Sequence, residues 1–110
     1  MEFEKKLKGI LSFLADETAA KKIILFGSRA SGSASSGSDI DLGVEGGKPL
    51  SFREKRKLKE ALEERSGLYS VDLVFLEEAS KEFQEIIHKT GVVLYDKERG
   101  FVISEKTWFG

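Results

Sequence analysis

Apolar residues recur at three- and four-residue steps from Phe3 through Leu7, Ile10, Leu11 and Leu14, which predicts an amphipathic helix over about residues 2–18. "KIILF" (22–26) is a short, β-branched run that ends at Gly27, and it reads as a buried strand. After a Ser/Gly-rich stretch, "DIDLGV" (39–44) alternates, with Asp39 and Asp41 on one face and Ile40, Leu42 and Val44 on the other. "EGGKPL" (45–50) is a loop. Ser51 and Glu54 then have capping-box spacing, so a second helix should start at Ser51 and run to about Arg65. "YSVDLVFL" (69–76) is another strand. Ser80 is placed to cap a third helix with Phe83, Ile86 and Ile87 facing inward, stopped by Gly91, and "VVLYD" (92–96) is a last core strand.

The order α-β-β-α-β-α-β does not repeat as βαβ units. It predicts an α+β domain, a small mixed β-sheet of about four to five strands with helices packed on it, in place of a Rossmann fold. At 110 residues the chain is expected to be one domain, residues 1–110. The tail "FVISEKTWFG" (101–110) is too aromatic to leave in water and predicts an extra strand or an interface, including one with a second copy of the chain.

Composition narrows the chemistry. There are no cysteines and one histidine, His88, so thiolate chemistry and histidine-cluster metal sites are excluded. The formal net charge is −1, so nothing global points to nucleic acid, and no apolar run reaches the roughly 20 residues of a spanning helix. With acids and bases mixed through its N-terminus, the chain reads as cytoplasmic. The segment 52–65 is rich in Lys and Arg interleaved with Glu, and reads as a solvated helix face. His88 falls near a helix C-terminus, where a protonated imidazole is favourable.

The candidate chemistry lies in "FGSRASGSASSGSDIDLGV" (26–44). Asp39 and Asp41, two apart on a strand, project from one face with Cα atoms about 6.5–7 Å apart. Such a pair calls for a counter-charge, and magnesium, a hard cation that takes a few carboxylate oxygens, is the natural one. Asp72 is the candidate third ligand: it is a lone acid inside an apolar run, where an unpaired charge costs several kcal/mol. Paired carboxylates of this kind bridge two ions about 3.5–4 Å apart at phosphoryl- and nucleotidyl-transfer sites. Upstream, Gly27 permits close approach of a phosphate, Ser28 adds a hydroxyl donor, and Arg29 can neutralise phosphate charge or pair with an acid. There is neither a Walker loop nor a dinucleotide fingerprint.

The spacing Gly27-Ser28, ten residues, Asp39-Ile40-Asp41 resembles the G-S-x10-D-x-D signature of the DNA polymerase β-type nucleotidyltransferases. With "LFGSRASG", "SDIDLGV", "VDLVFL" and "GVVLYD" in order, the chain is most similar to the minimal nucleotidyltransferases of that superfamily. The resemblance implies a polymerase-β-palm-like fold in which Gly27, Ser28 and Arg29 bind the nucleotide. Asp39, Asp41 and Asp72 would hold two Mg2+ ions and act as the catalytic residues. Ser31 stands where the family commonly has a second arginine. The implied activity is transfer of NMP, AMP above all, from an NTP such as ATP to an acceptor hydroxyl with release of pyrophosphate. The implied setting is an antitoxin that AMPylates a small helical HEPN partner. The rival expectations are a weak or inactive binding module of the same fold and, further off, a phosphohydrolase using D-x-D.

Overall fold

The computed structural model describes residues 2–27, 39–67 and 69–102, with side chains from Lys5 onward. Its helices are α1 (Glu2–Thr18), α2 (Phe52–Ser66) and α3 (Lys81–Thr90), and its strands are β1 (Lys22–Phe26), β2 (Ile40–Glu45), β3 (Val71–Phe75), β4 (Val92–Asp96) and β5 (Gly100–Phe101). A 3-10 turn, Leu76–Glu78, follows β3. The five strands form one sheet in the order β3-β2-β1-β4-β5. The pairs β1–β2, β1–β4 and β4–β5 are antiparallel, whereas β2–β3 is parallel, so the sheet is mixed as the element order predicts.

The helices begin where the caps place them. Ser51 Oγ accepts from Glu54 N at 3.1 Å, and Glu54 Oε1 accepts from Ser51 N at 2.9 Å, a complete capping box that holds the Glu54 carboxyl below its ordinary value. Ser80 Oγ accepts from Phe83 N at 3.2 Å at the start of α3, and Gly91 N donates to Ile87 O at 2.8 Å at its end.

Alternation along the strands divides the apolar residues between two faces. Ile23, Leu25, Ile40, Leu42, Val44 and Val71 face α1 and α2, where they pack with Leu7, Ile10, Leu11, Leu14, Leu58 and Leu62. The opposite face is covered by α3 and the 3-10 turn, and its buried cluster is only Ile24, Leu76 and Ile87, with Phe26, Val74, Phe83 and Val93 half-buried around it.

Three expectations are corrected. Ile86 does not face inward: it is 56% exposed. Phe83 and Ile87, one turn apart, take the positions packed on the sheet, and Ile86, about 100° round the helix from Ile87, points away. Asp39 lies one residue before β2, so only Asp41 of the pair is held by strand pairing. The strand expected over 69–76 is shorter: it begins at Val71, and its end turns into the 3-10 segment at Leu76. At the C-terminus Gly100 and Phe101 add a fifth strand on β4, with the Phe101 ring 5.4 Å from that of Tyr95. Residues 103–110, including Trp108 and Phe109, lie outside the described residues.

Candidate active site

The site is built where β1 ends and β2 and β3 begin. Antiparallel pairing sets Asp41 opposite Phe26, and parallel pairing sets Asp41 beside Asp72 in the same register. Because directly paired residues of neighbouring strands share a face, Phe26, Asp41 and Asp72 form a row across three strands on the α3 side of the sheet. Phe26 is half-buried and meets Phe83 of α3 edge to face, ring centroids 5.8 Å apart. Asp41 therefore has an apolar wall on one flank and a second carboxylate on the other.

That position sets its electrostatics. Burial raises the Asp41 carboxyl above its ordinary value, and the charges of Asp72 and then Asp39 push in the same direction. Negative charge at Asp41 is under-compensated, which is the environment a cation relieves. Asp72 is not buried in a strand interior as its apolar run suggested. β3 is an edge strand, the Asp72 side chain is half exposed, and Lys59 Nζ of α2 lies 3.8 Å from its Oδ1. The edge position removes most of the cost of a charge in that run.

Gly27 closes the site from the β1 side. Its φ is +77°, and a Cβ built on it would fall on the Asp41 carboxylate, with Oδ2 and Cγ the nearest atoms. Backbone at Gly27 thus comes as close to the carboxylate as a residue without a side chain allows, and the turn takes a conformation that L side chains rarely adopt. Ser28, Arg29 and Ser31, with the rest of residues 28–38, lie outside the described residues.

The donor set suits Mg2+: hard carboxylate oxygens, two in register and a third two residues before one of them, with charge repulsion already evident at Asp41. In the conformation seen, no three His, Cys, Asp or Glu side chains among the described residues are drawn together closely enough to hold a metal ion. Sequence reasoning missed two neighbours of the site. Phe26 walls off Asp41 and is foreshadowed by its place next to Gly27. Lys59 carries no signal that separates it from the other cations of α2. His88, read as a helix-end imidazole, also meets Glu45 of β2 at 2.7 Å.

Comparison with known proteins agrees with this arrangement. The family model described as "Polymerase beta, Nucleotidyltransferase" matches residues 8–100. A Haemophilus influenzae protein named "Probable protein adenylyltransferase MntA" is 42% identical over 74 residues, which are 67% of this chain and 65% of that protein's length. A crystal structure of a toxin–antitoxin with AMP-PNP superposes with a TM-score of 0.72 at 28% identity, covering 86% of this chain and 75% of that one. A structure of the tri-AMPylated Shewanella oneidensis HEPN toxin in complex with an MNT antitoxin gives a TM-score of 0.68 at 25% identity, covering 87% of this chain and 74% of that one. Among the described residues no helix is long and apolar enough to cross a membrane. With 93 of 110 residues inside the family match and an Asp41–Asp72 pair set beside Gly27, the chain belongs to the polymerase β-type nucleotidyltransferase family.

Proposed function

We propose that the chain is a Mg2+-dependent nucleotidyltransferase that moves AMP from ATP to a hydroxyl on a partner protein. The observation that carries this reading is the Asp41–Asp72 register beside Gly27, together with the raised Asp41 carboxyl. The acceptor oxygen bonds to the α-phosphorus, the α–β anhydride bond breaks, and its electron pair leaves with pyrophosphate, while the hydroxyl proton passes to a nearby base. Asp39, Asp41 and Asp72 would hold two Mg2+ ions, which when bound neutralise charge on the phosphates and lower the pKa of the acceptor hydroxyl. Gly27, Ser28 and Arg29 would receive the β- and γ-phosphates, the open backbone at Gly27 allowing close approach. Phe26 and Phe83 exclude water from one flank of Asp41. Asp72, on the outer strand, would accept the hydrogen bond of the incoming hydroxyl.

The relatives support a protein acceptor. The Haemophilus protein carries the name "Probable protein adenylyltransferase MntA", and the Shewanella complex pairs an MNT antitoxin with a tri-AMPylated HEPN toxin. The chain spans 65% of the length of that Haemophilus relative. We extend the reading to a cytoplasmic antitoxin whose substrate is a helical HEPN-type protein.

A second reading, an inactive or weak binding module of the same fold, is favoured by one observation: no three acids close to metal-ligating distance among the described residues. The two are separated by label transfer in source-cell lysate with Mg2+. ATP labelled at the α-phosphate should mark a protein that γ-labelled ATP does not, and Asp41→Ala should abolish the mark. An Asp39→Ala variant that neutralises the partner as well as wild type does would favour the binding module.

A further inference from the structure

The outer side of β3 carries a feature that nucleotide binding does not use. Phe52, Arg56 and Lys59 of α2 stand along Leu73 and Phe75 of β3 and enclose a groove of about 350 Å³ with Asp72 in its lining. Helix and strand bring the pairs together in reverse order. Lys59 reaches Asp72 at one end, and Lys55 lies 5.0 Å above the Phe75 ring while pairing with Glu78 at the other. Arg56, between them, has no hydrogen bond or ion pair among the described residues. Phe52 is 83% exposed, the largest such value among the apolar residues described. Among the described residues β3 pairs only with β2, so its outer edge offers unpaired backbone groups.

The Gly27 turn, Asp41 and Asp72 lie in one row on the α3 side, the groove opens beyond β3 on the α2 side, and Asp72, half exposed on that edge, is the residue the two share. Resting on the transfer chemistry proposed above, we propose that the groove between α2 and β3 seats an extended acidic protein segment and delivers its hydroxyl to Asp72. With Lys59 set against Asp72 and Lys55 against Glu78, the charge left over is that of Arg56, which sets the sign of the occupant, and Phe52, Leu73 and Phe75 give it an apolar floor. A protein segment fits better than nucleic acid. Asp72 and Glu78 mark the two ends and repel a continuous phosphate backbone, whereas separated carboxylates can lie against Arg56 in the middle.

The test is a titration, without nucleotide or Mg2+, of a fluorescein-labelled peptide of alternating glutamate, serine and phenylalanine residues, read by anisotropy. The peptide should bind, and the same peptide with lysine for glutamate should not. Arg56→Glu and Phe52→Ala should each weaken binding by about tenfold, and Arg56→Lys by no more than about threefold. In the α-label assay Arg56→Glu should raise the acceptor concentration for half-maximal rate and leave the KM for ATP unchanged. Peptide binding that neither variant alters overturns the groove as the docking site, as does displacement of the peptide by a lower concentration of a single-stranded oligonucleotide. Transfer that proceeds normally in Arg56→Glu overturns the groove but leaves the chemistry standing. Absence of any Asp41-dependent α-label transfer overturns the chemistry, and with it the delivery of a hydroxyl, whatever the peptide does.

Discussion

The two faces of the sheet are unequal. One is sealed by α1 and α2 over a continuous core of fully buried Leu, Ile and Val side chains. The other carries α3, ten residues long, over three buried side chains among the described residues. Partly burying a charge without a partner costs stability. The thick face supplies the stability, which frees the thin face to hold carboxylates that repel one another. Gly27 marks the same division, since its turn leaves room for a carboxylate where a side chain would stand.

Substitutions on the two faces should behave differently. The largest effect is on chemistry. Asp41→Ala should lower transfer of α-label by about a thousandfold or more while leaving the circular dichroism spectrum intact, because metal and charge stabilisation at such sites is worth several kcal/mol. Next come the cores. Leu14→Ala, on the thick face, should lower global stability by about 3–4 kcal/mol in denaturant unfolding. Ile87→Ala, on the thin face, should cost about 2 kcal/mol and show first as faster amide exchange in α3. Equal costs with exchange spread over the whole chain would show that the faces are one cooperative core.

Gly27→Ala should cost about 1–2 kcal/mol from its positive φ alone, and more as the new methyl displaces the Asp41 carboxylate. The smallest effect is the charge itself. The folded protein holds the Asp41 proton more tightly than the unfolded chain does, so this residue's contribution to stability is complete below the ordinary carboxylate range. It is lost as the pH rises through the raised value. Asp41→Asn should therefore melt higher than wild type at neutral pH in Mg2+-free buffer, with the gain vanishing at acidic pH. Added Mg2+ should raise the melting temperature of wild type and not that of Asp41→Asn. A melting difference that does not change with pH would show that Asp41 carries no strain of charge.

Much of this organisation is legible in the chain. The helix periods, the Ser51–Glu54 box and the Ser80 cap act over three or four residues, so local pattern suffices to place α1, α2 and α3. The Gly27-Ser28 to Asp39-Ile40-Asp41 spacing likewise needs only the linear sequence. Ile86 shows the limit: its apolarity fits an inward face, but how wide that face is depends on the strands beneath, which no local window contains.

The helices, the main strands and the α+β class are written in the chain, because propensity, capping and periodicity are short-range. How the candidate acids act on one another depends on long-range strand pairing. Parallel pairing of β2 with β3 joins Asp41 to Asp72 across 31 positions, and the antiparallel pairing of β1 sets Phe26 and Gly27 against them. The edge position of β3 exposes Asp72 to Lys59 and opens the groove beside it. Strand order and register come from how two sheet faces bury their apolar side chains at once, a condition on the whole chain that no single stretch carries.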